Sequence, residues 1–152
     1  MKSILNLCFI FHENSILLGL KKRGFGKGKW NGFGGKLEEG ESIEVAARRE
    51  VYEESGLKVH LTPEDKYGVL DFIYTDKTHE VHIYSTNQFK GTLLETQEMK
   101  PQWFNIEDIP YHTMWEDDTY WLPLLLNKKK FEGEFMFDKD KKLLTHCLEC
   151  LS

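Results

Sequence analysis

Apolar residues dominate positions 4–11, broken at Asn6, and return from Ile16 to Leu20, with the polar triplet His12-Glu13-Asn14 between the two runs. Short apolar runs on either side of a turn-forming triplet predict a β-hairpin over residues 3–11 and 15–20. A glycine-rich loop follows over residues 24–35. From Ser42 the apolar spacing becomes helical. Ser42 suits the N-cap, Glu44 the positive end of the dipole, and Gly56 the left-handed residue past the last turn. Residues 57–61, 67–74, 81–89 and 102–104 read as strands, and 121–130 as a second helix with Pro123 in its first turn. Residues 131–137 and 143–151 add two further strands. Elements mixed in this order predict an α/β fold, with a central mixed sheet and helices on both faces.

The first helix carries the strongest anomaly. Glu50, Glu53 and Glu54 stand at i, i+3 and i+4, so three carboxylates crowd one stripe at 100° per residue. The residues on the same side as Glu50 are Ile43, Ala46, Ala47 and Leu57, whereas Arg48 and Ser55 lie roughly opposite. The acids therefore share the apolar side of the helix, where an ordinary surface helix keeps its charges away from the core. A solvated acidic helix is the plain alternative. A hard divalent cation resolves the conflict better, because Mg²⁺ takes carboxylate oxygens, keeps several waters and bridges to substrate phosphates. Gly32, Gly34 and Gly35, just upstream, let the backbone approach a metal or phosphate closely.

Composition narrows the setting. The chain has 152 residues, 40% hydrophobic and 13% aromatic, with a net charge of -5. This describes one globular domain over residues 1–152 and argues against a protein that lives on nucleic-acid backbones. A polyphosphate must then be drawn by local positive charge, which Lys21-Lys22-Arg23, Lys27 and Lys29 supply beside the glycines. No apolar run approaches a membrane span, and the N-terminal run reads as a strand and not a signal peptide. Three cysteines suit a reducing compartment, so a cytoplasmic location is expected, with nucleus and mitochondria left open. Cys147 and Cys150 form a C-x-x-C without a second pair, and a zinc or redox role is not expected of them. The glycine loop contains no P-loop pattern.

A second cluster, Trp115-Glu116-Asp117-Asp118-Thr119-Tyr120-Trp121, admits two readings. It is either a helix N-terminus beside core aromatics, or a purine pocket in which an indole stacks and carboxyls read the base edge. Two acids in an apolar pocket also repel each other, so that one stays protonated and donates while the other accepts.

Residues 35–57 match, at every specified position, the Nudix box, G-x5-E-x7-R-E-U-x-E-E-x-G-U with U a bulky aliphatic residue. The chain thus resembles the Nudix family, whose members cleave a nucleoside diphosphate linked to a further group X with one to three Mg²⁺ or Mn²⁺ ions. The resemblance implies an α/β/α sandwich. It implies metal ligation by Glu50, Glu54 and the carbonyl of Gly34, with Glu53 a further ligand or water-orienting carboxylate. Arg49 and Glu41 correspond to a pair that holds loop and helix together. The runs Lys21-Lys22-Arg23-Gly24-Phe25-Gly26, 30–36, Asp117-Asp118 with Tyr120-Trp121, and 123–126 followed by 128–131 sharpen the resemblance over residues 3–137. They are similar to family members that hydrolyse 8-oxo-dGTP and 2-hydroxy-dATP to the monophosphate and pyrophosphate.

That resemblance implies hydrogen bonds to the base from Asn31, Asp117 and Asp118, and stacking by Trp115. It implies a pocket lined by Phe25, Phe72, Met99 and Trp121 with Lys21 near its mouth, Glu98 as a further metal-binding glutamate, and a monomer as the working form. Which of Glu53, Glu54 or a group acting through Glu98 removes the water's proton stays open. Asn6 stands where a threonine is usual in the family, Leu70 where an aromatic is common, and the chain diverges after Phe137. The rival readings are a Nudix enzyme for another X, such as a dinucleotide polyphosphate, ADP-ribose or a methylated purine triphosphate, and a non-catalytic nucleotide-binding module.

Overall fold

A computed structural model describes residues 1–151. Its centre is β1 (Lys2–His12), a long apolar strand with neighbours on both edges. One edge pairs in parallel with β7 (Thr78–Thr86), continuing through β6 (Lys66–Ile73) and β10 (Phe131–Phe137) to β11 (Leu143–Cys150). The other edge changes partner midway. Ile10–His12 pair with β2 (Ser15–Lys21), whereas Leu5–Cys8 pair with β4 (Phe33–Lys36). β3 (Trp30–Asn31) and β9 (Met99–Asn105) extend the β2 side. A separate pair, β5 (Leu57–Val59) and β8 (Phe89–Gly91), flanks the main sheet.

Alternation along β1 separates two cores, because successive side chains leave opposite faces of a strand. Cys8 and Ile10 pack with Leu17, Ala47 and Val51, placing α1 (Ile43–Ser55) on one face. Phe9 packs with Ile16, Leu18, Trp121, Leu122 and Leu125, placing α2 (Asp118–Leu126) on the other. The expected mixed sheet with helices on both faces is what forms.

Several boundaries differ from the sequence reading. The glycine-rich segment is not all loop, since residues 30–36 supply β3 and β4. A Cβ on Gly34 would lie 1.9 Å from the Asn6 carbonyl oxygen, so only glycine lets β4 approach β1 so closely. The stretch 81–89 is two strands, broken where the Thr86 hydroxyl accepts from the Gln88 N–H. The second helix begins at Asp118 and ends at Leu126. The lysine run that suggested a longer helix lies beyond an end where the Asn127, Lys128 and Lys129 N–H groups turn back onto carbonyls of residues 123–125. Pro123 therefore sits inside the helix and not in its first turn. Ser55, expected opposite the core, is fully buried, and its hydroxyl donates to the Val51 carbonyl. Cys147 and Cys150 both lie on β11, three residues apart, so their side chains leave opposite faces of the strand and cannot share a disulfide or a metal.

Candidate active site

The change of partner on β1 opens a cavity of about 220 Å³. It is walled by Asn6 and Leu7 of β1, Gly19 and Lys21 of β2, Asn31 of β3, Gly34 and Gly35 of β4, and Met99 of β9. β6 adds Phe72 and Tyr74, and α2 with its approach adds Trp115, Asp117, Asp118 and Trp121. All nine side chains assigned to base binding from the sequence line this one cavity, and Glu54 of α1 reaches it from the other side of the sheet.

At the α1 end, Ser42 caps the helix by accepting from the Val45 N–H at 3.2 Å, and Gly56 closes it in the left-handed conformation at φ 83°. Between these caps Glu54 turns inward and accepts from the Gly34 N–H at 3.0 Å. Burial, reinforced by the Glu50 charge, pushes its pKa up to about 8 despite the Gly34 hydrogen bond. Burial also raises Glu50, opposed by Arg49. Glu53, by contrast, is 54% exposed. The three glutamates are thus unequal: one turned inward, one half-buried and one on the rim.

Arg49 organises this group. Its Nε and Nη2 hold Glu41 in a two-point grip at 2.7 and 3.0 Å, and Nη2 also donates to the Lys36 carbonyl at 3.1 Å. Its Nη1 spans Glu50 and Glu53 at 2.5 and 2.8 Å. The Arg49 guanidinium also holds the Glu41 carboxyl below the usual carboxylate range. The pairing implied by the sequence is therefore present, and the same guanidinium screens two of the box carboxylates.

Among the described residues, no three His, Cys, Asp or Glu side chains converge into a closed metal cage. The local chemistry nonetheless fits a divalent cation that takes few protein ligands. Glu50 Oε2 lies 2.4 Å from where a Gly35 Cβ would stand, so this carboxylate lies against a strand that must lack a side chain there. Glu54 is a near-buried acid that, among the described residues, makes no ion pair and feels only the more distant charge of Lys21. Hard oxygen donors of this kind suit Mg²⁺, which fills its remaining positions with water and phosphate. Glu98 is held apart: Arg23 Nε donates to it at 2.6 Å and Lys21 Nζ lies 3.6 Å away, and Arg23 lowers its pKa. Lys21 bridges the two halves of the site, because its charge also acts on Glu54.

The sign of the Glu54 shift gives a stability prediction. A carboxyl whose folded pKa is raised from 4.5 to about 8 stabilises the fold below the unfolded value and loses that contribution as pH rises through the folded one. The metal-free protein should lose thermal stability progressively between about pH 4.5 and 8, and Mg²⁺, which competes with the proton, should raise Tm more at the upper end. Calorimetric Tm values with and without Mg²⁺ measure this, and a Mg²⁺ effect independent of pH would contradict it.

At the α2 end, Asp117 and Asp118 stand at the helix N-terminus, and Asp117 makes no side-chain cap. The same two residues line the cavity, so the two readings of this cluster do not exclude each other. Trp121, fully buried, donates its Nε1–H to Asp117 Oδ2 at 2.7 Å. Burial raises the Asp117 pKa to about 6, and burial together with the Asp117 charge raises Asp118 further. Of the two, Asp118 is the one that burial and its neighbour's charge drive toward the protonated form. Among the described residues Asp118 Oδ2 has no hydrogen-bond partner, and neither has Asn6 Oδ1, although Asn6 is only 2% exposed. The Asn6 Nδ2 donates to the Gly35 carbonyl at 3.1 Å, which fixes the amide orientation. Asn31 Oδ1 accepts from the Gly32 N–H at 2.8 Å, leaving its NH₂ for the cavity. Phe25 and Trp115 stack at the mouth, with centroids 5.2 Å apart and an interplanar angle of 23°.

Tyr74 and His79 also line the cavity and were not singled out from the sequence. Aromatic residues at the ends of strands read as core, and only the β6–β7 turn carries them to the mouth. Burial lowers the His79 pKa, with Lys77 and Lys36 adding to the effect.

A NUDIX-domain profile matches residues 6–125. The chain is 46% identical over 142 residues to the mouse oxidized purine nucleoside triphosphate hydrolase, covering 93% of this chain and 91% of the mouse protein. It is 47% identical over 148 residues to the zebrafish protein of the same name, covering 96% and 94%. Among solved structures, a MutT protein from Bacillus halodurans superposes with a TM-score of 0.86 at 24% identity, covering 97% of both chains, and so shares the fold. Box, fold and relatives agree: the chain belongs to the Nudix family.

Proposed function

We propose that this protein hydrolyses oxidised purine nucleoside triphosphates, of the 8-oxo-dGTP and 2-hydroxy-dATP kind, to the monophosphate and pyrophosphate with Mg²⁺, keeping damaged precursors out of DNA. One observation carries the reading. A buried aspartate pair, with Asp118 driven toward its protonated form, and the Asn31 amide close one end of an aromatic cavity whose other end is the glutamate-and-glycine loop of the Nudix box. The full-length likeness to mouse and zebrafish proteins of that name supports it.

Each residue then has a task. Asp118, protonated, donates to a base carbonyl, while Asp117, held by Trp121, accepts from a base N–H. Asn31 adds a donor, and Trp115 and Phe25 offer a stacking surface. Asn6 lines the same cavity and is held on the Gly35 carbonyl, beside the glycine backbone of the Nudix box. Its orphaned Oδ1 accepts from a sugar hydroxyl. Glu50, Glu54 and the Gly34 carbonyl would hold Mg²⁺, with Glu53 and Glu98 as further candidates once Arg49 and Arg23 release them, and an ion held there would supply neutralisation of phosphate charge and orientation of a water. Ionised Glu53 or Glu54 takes the water's proton, and Lys36, beside the loop, faces the leaving pyrophosphate. We further propose a single domain over residues 1–152 that works as a cytoplasmic monomer; no described helix is long and apolar enough to cross a membrane.

The decisive experiment is a panel of initial rates with Mg²⁺ on oxidised, methylated and unmodified purine triphosphates, dinucleotide polyphosphates and ADP-ribose. Oxidised purines should lead by kcat/KM, and a preference for unmodified dGTP over its 8-oxo form would overturn the assignment. Asn6→Leu should lower kcat/KM for 8-oxo-dGTP by about tenfold, the worth of one lost hydrogen bond, and leave its dideoxy analogue nearly unaffected. Equal losses on both would remove Asn6 from sugar contact.

A further inference from the structure

The protein is acidic overall, at -5, yet its expected ligand is a polyanion. The tertiary structure sorts the charges across the sheet. Asp71, Glu80, Glu132, Glu134 and Glu149 line a groove on one face of β6, β7, β10 and β11. The alternate residues Phe72, His79 and Val81 line the nucleotide cavity on the other face. Strand alternation thus keeps these five carboxylates away from the cavity mouth.

At the mouth, three lysines from three separate segments converge on the aromatic rings. Lys29 Nζ lies 5.2 Å from the Trp115 ring centre, and Lys77 Nζ lies 5.3 Å from Phe25 and 5.7 Å from Tyr74. Lys141 Nζ lies 4.4 Å from Phe25. Lys77 comes from the β6–β7 turn and Lys141 from the β10–β11 turn, so only the folded chain brings them together. Neither lines the cavity interior, and among the described residues neither has a carboxylate within salt-bridge distance. Within the cavity, burial and the Asp117 charge favour the neutral form of Asp118, which limits the negative charge that would oppose them.

We propose that Lys77 and Lys141, with Lys29, form an electropositive rim that captures the triphosphate from solution and steers it into the cavity, setting the association rate and not the chemical step. A positive rim around a low-dielectric cleft focuses the field and speeds association of an opposite charge by about 10- to 1,000-fold. Charge-steered association is steep in salt, because the Debye length shrinks from about 30 Å at 0.01 M to about 10 Å at 0.1 M. Cation–π contact with Phe25 and Tyr74 anchors the ammonium groups without neutralising them.

The test rests on the nucleotide reading but separates from it. Stopped-flow tryptophan fluorescence, with EDTA present to prevent turnover, follows binding of 8-oxo-dGTP and of 8-oxo-dGMP to the full chain. Lys77→Gln with Lys141→Gln is compared with Lys128→Gln with Lys129→Gln, a pair that removes equal charge beyond the far end of β10. The rim variant should bind the triphosphate about tenfold more slowly at about 10 mM salt, with the deficit shrinking severalfold at about 0.3 M and smaller for the monophosphate. Its kcat with Mg²⁺ should equal that of wild type. An equal slowing in the control pair would reduce the effect to net charge, and a deficit that ignores salt, or a lowered kcat, would make the lysines contacts in the bound state; either result overturns steering. A wild-type protein that binds neither nucleotide refutes the nucleotide reading itself.

Discussion

Glu54→Gln is expected to abolish turnover while leaving the metal-free protein at least as stable as wild type. The two effects have opposite signs for one reason. Glu54 is a near-buried carboxyl whose ionisation the fold opposes, as its pKa of about 8 records, so an isosteric neutral amide removes a strained charge. The same charge is what the proposed chemistry needs, both to hold a divalent cation and to stand as a candidate base. Loss of a positioned general base alone costs about 10²- to 10⁴-fold in rate, and loss of a metal ligand adds to it. The amide oxygen that takes the carboxylate's place can still accept from the Gly34 N–H, so local geometry should survive. Calorimetry should show that the Mg²⁺-induced rise in Tm is lost and the metal-free Tm kept, with nucleotide binding in EDTA largely intact. Retention of kcat in this variant would remove Glu54 from the reaction.

The aspartate pair should produce the second large effect, on choice of base and not on metal dependence. Asp118→Asn keeps the shape and a donor, but it removes the shared proton and lets Asp117 ionise without a neighbouring acid. Asp117→Asn replaces the acceptor that Trp121 orients with a group that can present a donor instead. A hydrogen bond to a charged group is worth about 1.5–3 kcal/mol, roughly 10- to 150-fold in kcat/KM at about 1.4 kcal/mol per decade. Each variant should lose that much on its best substrate and reorder the purine panel, while the Mg²⁺ concentration giving half-maximal rate stays put. Uniform loss across all purines, or a shifted Mg²⁺ requirement, would count against base reading by this pair.

The half of the site proposed to hold metal was legible in the sequence as a cluster because its determinants are local. Glu41, Arg49, Glu50, Glu53 and Glu54 fall on one loop and one helix, whose 100° step makes spacing a statement about direction. Even there, the sequence did not rank the three glutamates. Glu53 and Glu54 are adjacent in the chain, but the sheet below α1 buries one and leaves the other at the rim. Nor did spacing show that Arg49 bridges Glu50 to Glu53 while gripping Glu41, or that Glu98 stands with Arg23 and Lys21.

The pocket proposed for the base was legible partly in the Trp115–Trp121 cluster and otherwise through resemblance, since its nine side chains come from four strands, two loops and a helix with its N-cap. Helix boundaries slipped where charge imitated propensity, as with the lysine run 128–130. The glycine-rich segment read as loop because its pairing with β1 depends on a close approach that only the partner strand reveals.

By itself, the sequence determined the two-sided sheet, the capped acidic helix and the phosphate chemistry of residues 35–57. Each is encoded in short-range periodicity, which fixes side-chain direction within a single element. Tertiary structure decided what the chain does with that chemistry. It opened a cavity where β1 exchanges β2 for β4, left Asn6 and Asp118 with unpaired atoms beside it, and carried Lys77 and Lys141 to its mouth. These are long-range pairings, and their burial and fields exist only once distant segments pack together.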